Sequence, residues 1–442
     1  MADARAGPRL HGEHAAAPNG EHAARSMAMA AFSEYYTLSF DARKATNMAS
    51  IAVFSSLGVL LRYGCGVLFT DYLQATVYSA KREPSGILFH DLMVNVIGSY
   101  LMGNIASFRE ELQGYSPALY VGLTTGLCGC ATTFSAWTSS MVVLAWDFDN
   151  GCALYPFSAL LGTAIGFVCA YTARSFGEHS ATCMRHAYMR LRYGVSSSQL
   201  LVARERSDAH KPAPLGAGPP QVSTHESMTD FRSARGDPAE CEDDALELDR
   251  GIVRYLYEWG WTSECWEVAR LLVVLCVWLG LTAVYVTLYT FATHQRTRVL
   301  LLACVIAPLG AWMRYIVSFG NKNVPNFPLY TYLCNLVASV LSILIYVALT
   351  KVLPASAGSM SVAAEYRLTE WLLAISLGFC GCLSTVSSFV NEVAQLWQKA
   401  TLYDSYFYTI ATLLSIHVIC LAFLLPFSVH YSDCEAGPGV VS

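Results

Sequence analysis

Nine stretches of this chain run for about twenty residues or more with almost no charge. That is the length a helix needs to cross the hydrocarbon core of a bilayer, about 20 apolar residues. They lie near 47–69, 87–107, 118–145, 152–174, 267–293, 299–319, 328–350, 369–397 and 405–428. The runs are long and show no period-two alternation, so helices rather than barrel strands are expected. Composition agrees. Only 14% of the residues are charged, against about 25% in an average soluble domain. A disordered chain, a nucleic-acid binder and most soluble enzymes are excluded, and an all-α, multi-pass membrane protein is expected.

The rest of the chain divides around these runs. Residues 1–46 are Ala-rich and polar and read as a disordered tail with no apolar leader, so the first span is expected to act as its own signal. Residues 175–265 hold Pro212, Pro214, Pro219, Pro220, many Ser and the acidic run Glu240 to Asp244, and read as a mostly disordered linker. Its start carries Arg174, Arg185, Arg190, Arg192, Arg204, Arg206 and Lys211, as a solvated tether or a short surface helix. Cytoplasmic flanks are enriched in Lys and Arg, so the linker and the N-terminus are expected inside. The expected order is a four-span block at 47–174, the linker, a linking helix at 266–294, a second four-span block at 295–428 and a tail at 429–442. An odd linking helix carries the chain across, so the second block is expected inverted relative to the first. The 15 cysteines have no regular spacing and sit mostly in apolar runs, which argues against a disulfide framework.

The two blocks repeat one another. Gly58-Val-Leu-Leu-Arg62-Tyr63 returns as Gly310-Ala-Trp-Met-Arg314-Tyr315, and Gly126-Leu-Cys-Gly129-Cys130 as Gly378-Phe-Cys-Gly381-Cys382. Both pairs stand at one offset, 62 to 314 and 129 to 381. Between them, Asn95-Val-Ile-Gly98-Ser99 returns as Asn335-Leu-Val-Ala338-Ser339 at a shorter offset, because the first block has a longer loop. Inverted repeats in one chain belong to transporters and channels, with the site near the midplane between the halves.

Gly-rich sequence inside an apolar span suggests a broken third helix in each block. Such a break is tolerated where it is buried in protein or lines a cavity. Its freed carbonyls can bind a small cation, through Gly129 and Thr132 in one block and Gly381 and Ser384 in the other, or the glycines can serve close packing alone. The Cys128/Cys130 and Cys380/Cys382 pairs have no His nearby and read as small packing residues rather than a soft-metal site. After each break come Thr132-Thr133-Phe134-Ser135-Ala136-Trp137 and Ser384-Thr385-Val386-Ser387-Ser388-Phe389. The aromatic positions are i and i+3, on one helix face. Ring edges are electropositive, so a small anion can lie against them with Ser and Thr hydroxyls donating nearby. Asn95 and Asn335 can donate to an anion or bond between helices. Arg62 and Arg314 can line an anion-concentrating vestibule or snorkel to the interface. Glu392 is the clearest mid-span carboxylate, and His417 reads as a satisfied core histidine.

This combination of motifs resembles the Fluc/FEX (CrcB-like) family of fluoride channels, and the duplicated form resembles its eukaryotic fluoride-exporter members. The resemblance covers both four-span blocks and neither the linker nor the tails. It implies a passive fluoride channel in which the inverted second block replaces a second protomer, so that a single chain acts as an internal pseudo-dimer in the membrane. It also implies a structural Na⁺ on backbone oxygens of Gly129, Thr132, Gly381 and Ser384. The family has two Phe in each third span, and each pore takes one from each half. Here the crossed pairs are Phe134 with Phe389 and Val386 with Trp137, so one conducting and one degenerate pore are expected. Thr133 and Ser158 fall at pore positions, with Ala411 in the stretch corresponding to Ser158. Glu392 matches a family Glu whose first-block counterpart is Ser140. No organic cofactor is implied, and the plasma membrane is the expected location.

The competing reading is a coupled secondary transporter, for example proton-driven efflux of fluoride or another small ion. It needs a titratable gate, for which Glu392 is the one good candidate. An intramembrane enzyme finds no nucleophile with a base at plausible spacing and no metal-ligand set.

Overall fold

The computed structural model describes residues 19–69, 88–147, 152–153, 155–193, 264–355, 360–399 and 402–427. Most of the linker, the C-terminal tail and the first 18 residues, on which several expectations fall, lie outside the described residues. The architecture is helical, apart from a two-residue antiparallel pairing of β1 (Trp146–Asp147) with β2 (Cys152–Ala153). Among the described residues, eight helical segments are long and apolar enough to cross a membrane, by length and composition.

In the first block α1 (Asn19–Val67) is followed by α2 (Leu92–Ser107) and α3 (Arg109–Tyr115). The second expected span is therefore short. Its 16 helical residues reach about 24 Å at 1.5 Å per residue, against about 30 Å of hydrocarbon. α4 (Pro117–Val121) starts with Pro at its first turn and Ser116 as its cap, then widens into a π-helical segment, Gly122–Cys128. α5 (Gly129–Ala131), α6 (Phe134–Ala145) and α7 (Pro156–Tyr193) complete the block. α8 (Glu264–Phe291) is the linking helix, and only 6% of its apolar window is buried by protein, as expected of a helix packed largely in lipid. The second block repeats the pattern with α9 (Gln295–Ser318), α10 (Leu329–Val347), α11 (Val362–Ala374), a π segment at Ile375–Cys380, α12 (Gly381–Leu383), α13 (Val386–Lys399) and α14 (Leu402–Leu424).

Two boundaries differ from the sequence reading. α1 begins at Asn19, inside the stretch read as a disordered tail. α7 continues past 174 to Tyr193, inside the stretch read as linker. Its extension is held by contacts: Arg185 donates to Glu111 (2.6 Å) and to the Ser107 carbonyl (3.0 Å), and lies 5.2 Å from the Phe108 ring.

The blocks interlock through equivalent helices. The Trp312 indole donates to the Met48 carbonyl (2.7 Å), Asn47 to the Tyr315 hydroxyl (3.1 Å) and Ser56 to the Cys304 carbonyl (3.0 Å). Rising numbers on α1 meet falling numbers on α9, so these counterpart helices run antiparallel. The Ser56 bond has a local cause. Pro308 lies inside α9 and has no N–H for the carbonyl four residues back, which is that of Cys304. A hydroxyl from the other block fills the gap. The repeated glycines also have a reason. A Cβ on Gly58 would fall 2.8 Å from the Leu127 carbonyl, and one on Gly310 would fall 2.4 Å from the Phe379 carbonyl. Each glycine lets the first helix of a block lie against the π segment of that block.

Two three-helix groups result. α2, α7 and α13 pack against one another, and so do α6, α10 and α14. Each group takes helices from both blocks, and they are counterparts of each other.

The linking helix docks on the second block by charge. Arg298 on α9 donates to both oxygens of Glu370 on α11 (2.6 and 3.2 Å) and to the hydroxyl of Tyr289 on α8 (2.9 Å). Its guanidinium lies 4.3 Å from the Tyr289 ring. Glu370 is 1% exposed, while Arg298 keeps 24% exposure. Glu370→Ala is expected to destabilise the protein by about 1–2 kcal/mol, below the cost for a fully buried pair because Arg298 can turn to water. Thermal unfolding in detergent measures it, and an unchanged midpoint would show that Glu370 does not hold α8.

Candidate functional site

Each third span breaks where the glycine-rich sequence suggested. The backbone is extended at Thr132 (φ −83°, ψ 144°) and at Ser384 (φ −83°, ψ 158°). Thr133 then caps α6, its hydroxyl accepting from the Ala136 N–H (3.3 Å). The two breaks meet. The Ser387 N–H donates to the Thr132 hydroxyl and the Ser135 N–H to the Ser384 hydroxyl, both at 3.1 Å. Thr132 and Ser384 are counterparts, as are Ser135 and Ser387, so the exchange is reciprocal in the manner of a two-fold axis.

The asparagines hold the breaks. Asn95 accepts from the Thr133 N–H (2.9 Å) and donates to the Thr133 carbonyl (3.2 Å); Asn335 does the same for Thr385 (2.8 and 3.3 Å). One N–H of each amide is left for another acceptor.

Arg62 and Arg314, expected at a vestibule, are 2% and 3% exposed and do not line wet space. Each crosses to the other block's third span. Arg62 Nη2 donates to the Leu377 carbonyl (2.8 Å). Arg314 Nη1 donates to the carbonyls of Gly129 (2.8 Å) and Ser384 (3.0 Å), and its Nη2 to that of Thr125 (2.7 Å). The correction has a physical cause: a helix end leaves carbonyls without partners, and a buried guanidinium supplies them. It also bears on Na⁺. Two of the four oxygens expected to hold it converge on Arg314, and Arg62 fills the space beside Gly381. A second cation about 4 Å from a guanidinium would be repelled by about 4 kcal/mol at an effective dielectric of 20. As the side chains stand, these residues do not fit Na⁺.

Phe134 and Phe389 are fully buried and pack edge to face, ring centres 5.6 Å apart at 86°. Phe389 also meets Tyr408 on α14 (5.4 Å) and Phe167 on α7 (6.0 Å). Beyond the rings, the hydroxyls of Thr138 on α6, Ser339 on α10 and Thr412 on α14 are buried without a partner. Each lies one turn past Phe134, Asn335 and Tyr408, on the three helices of one group. Glu392 accepts from Thr331 (2.6 Å), Tyr408 (2.8 Å) and Asn321 (3.4 Å), tying α10, α13 and α14 together. Ser140, its counterpart, only donates to its own helix.

The counterpart group is different. Val386 and Val390 are fully buried on α13. The Trp137 indole stacks on Phe89 (5.8 Å) and occupies the space beside Gly166 on α7, where a Cβ would fall 2.7 Å from the ring. Ser158 is half-buried on the first turn of α7; the α7 contact to the ring pair is made by Phe167, further along. His417 is satisfied, bonding to the Leu413 carbonyl (2.6 Å) and Thr163 (3.3 Å). Thr138, Tyr408 and Thr412 were missed by the sequence reading. For Thr138 and Thr412 the signal was a hydroxyl four residues after an aromatic in an apolar run.

Comparison with known proteins follows the same division. The model of the family described as CrcB-like protein, Camphor Resistance (CrcB), matches residues 49–174 and 301–425. The fluoride-specific ion channel FluC of Gloeobacter violaceus is 33% identical over 113 residues, 25% of this chain and 82% of that protein. Fluoride export protein 2 of Saccharomyces cerevisiae is 23% identical over 338 residues, 74% of this chain and 82% of that protein. Fluoride export protein 1 of the same yeast is 22% identical over the same length. No solved structure matches the chain.

Proposed function

The chain belongs to the CrcB-like family, and from that premise we propose that it is a passive, fluoride-selective channel, not an enzyme, that exports fluoride from the cytosol through one pore. Relatives spanning both single-block and chain-long matches carry fluoride channel or fluoride export in their names. The observation that carries the reading is the Phe134–Phe389 pair with three unpartnered hydroxyls beyond it. Fluoride entering this dry constriction must shed water. Free ring edges meet it without a full charge, and the hydroxyls replace its water. Left unpaired, each such hydroxyl costs about 1–3 kcal/mol; an anion that accepts from it offsets that cost.

The second passage is degenerate in this reading. Val386 puts no ring edge opposite Trp137, and the Trp137 ring fills the space beside Gly166 on α7. Trp137→Phe, which keeps a ring against Phe134 (5.3 Å), is therefore expected to leave flux through the Phe134 side unchanged, measured as fluoride efflux from vesicles per folded channel. A severe loss would place Trp137 in the conducting path.

We further propose that the second block is inverted across the membrane, with the short α2 making a ninth span beside the eight long helical segments. The antiparallel packing of α1 on α9 supports this. One chain then suffices, with the N-terminus and linker cytoplasmic and the plasma membrane as the site of export. Purified chain alone in liposomes tests the function. Fluoride should run down its gradient and build a voltage with the pH gradient clamped. Flux that stalls without a proton gradient would favour the coupled transporter, with Glu392 as its gate.

A further inference from the structure

The linking helix ends beside a cavity that the fluoride path does not use. Its volume is about 750 Å³, within the usual size of small-molecule sites, about 300–1,000 Å³. It lies where α8 ends at Phe291, α9 begins at Gln295 and α11 begins at Val362. All three helices belong to segments long enough to span a membrane, so the cavity sits at the level where hydrocarbon gives way to headgroups. Its wall carries Arg298, Arg367, Tyr366 and Thr293 beside the apolar Val362 and Ala363. Both guanidinium groups have capacity left. Arg298 gives Nε and Nη2 to Glu370 and Tyr289, which leaves the two N–H groups of Nη1. Arg367 is exposed and has no ion-pair partner among the described residues. Glu365, the acidic residue in the first turn of α11, is not part of the wall. Running back from the cavity along α8, Phe291, Leu288 and Val284 are exposed, at spacings that set them on one helix face.

We propose that this cavity is a phospholipid site, with the phosphodiester held between Arg298 and Arg367 and an acyl chain laid along the exposed face of α8. The chemistry matches on both counts. A phosphodiester carries one negative charge and two free oxygens, which a guanidinium fork binds well. The hydroxyls of Tyr366 and Thr293 can donate to the same oxygens or to the headgroup beyond them. α11 starts at the cavity, so the partial positive charge of its N-terminus adds to that of the two arginines. A soluble anion would use the arginines and leave the apolar face of α8 unused. An uncharged lipid would use that face and leave Arg367 without a partner. A phospholipid uses both, and it touches α8, α9 and α11 at once. It therefore seats the linking helix on the second block beside the contact that Arg298 and Glu370 already make.

The inference stands apart from fluoride transport, and its test does not use flux. The purified full-length chain in detergent is mixed with a phosphatidylglycerol that carries a photoactivatable diazirine in its acyl chain near the headgroup. After irradiation the digest is read by mass spectrometry. Adducts are expected on residues 284–293 and 362–367, in excess over those on α14, another helix left largely unburied by protein. Unlabelled phosphatidylglycerol should remove the excess, and inorganic phosphate at the same concentration should not. Arg367→Gln is expected to weaken this labelling about tenfold, the loss of a bond between charged groups, while Glu365→Gln should not weaken it. The wild-type competition decides the matter alone if the Arg367 variant fails to fold. Labelling no denser here than on α14, or equal in the wild type and Arg367→Gln, would overturn the site. Competition by inorganic phosphate as effective as that by the lipid would make the ligand a soluble anion and overturn the assignment to a phospholipid.

Discussion

Phe389→Ile is expected to reduce fluoride efflux about 10- to 100-fold, and Phe134→Ile to do the same, while Val386→Ala leaves efflux intact. A bond to a charged group contributes about 1.5–3 kcal/mol, and about 1.4 kcal/mol is a factor of ten. Isoleucine keeps the constriction apolar and of similar bulk, but it has no electropositive edge. Any loss therefore reports the ring and not simple widening. Each phenylalanine comes from a different block, and the two meet edge to face. Removing either leaves one side of the ion bare. Val386 is the counterpart of Phe134 on the other side, and alanine there only enlarges a buried apolar space. Efflux from vesicles, normalised to folded protein, gives the comparison. Equal losses in all three variants would overturn the assignment of a single conducting passage.

The sequence carried the spans because a long uncharged run has few other homes than a bilayer. It carried the breaks because glycines in such a run have a local meaning. It did not carry the partners of Arg62 and Arg314. The cost of burying an arginine is local, but the carbonyls that offset it lie in the other block, more than 180 positions away for Arg314 and Gly129. The asparagines divide the same way. Their repetition was visible, yet only the packed breaks assign them to the backbone of Thr133 and Thr385. The helical extension of α7 was masked by its polar residues, since Arg185 is ordered by Phe108 and Glu111 on a neighbouring element and by nothing in its own run. Ser158 shows how a single helix divides between resemblance and packing. Its pore position rests on the resemblance, while the ring contact on that helix comes from Phe167, an aromatic further along.

Arg314→Met is expected to lower stability by about 3–5 kcal/mol, the cost of breaking a buried charged partnership, and more than Arg62→Met. The reason is the count and origin of the groups left behind. Arg314 satisfies three backbone carbonyls, of Thr125, Gly129 and Ser384, and thereby spans both breaks. Arg62 satisfies one, that of Leu377. Methionine fills much of the volume and supplies no donor, so those oxygens stay buried and unpaired at about 1–3 kcal/mol each. Arg314→Lys should fall between, because an ammonium is a point charge and cannot fork to carbonyls on two sides. Thermal unfolding in detergent ranks the variants. If Arg62→Met were the more damaging, the stability of the paired breaks would rest on the second block's π segment and not on the bridge between Gly129 and Ser384. Phe134 stands two residues past the Thr132 break and Phe389 five past the Ser384 break, so the ring pair would then be positioned by a different set of contacts. The destabilising effect of Arg314→Met should accordingly appear in flux as well, as fewer active channels with unchanged selectivity among those that fold.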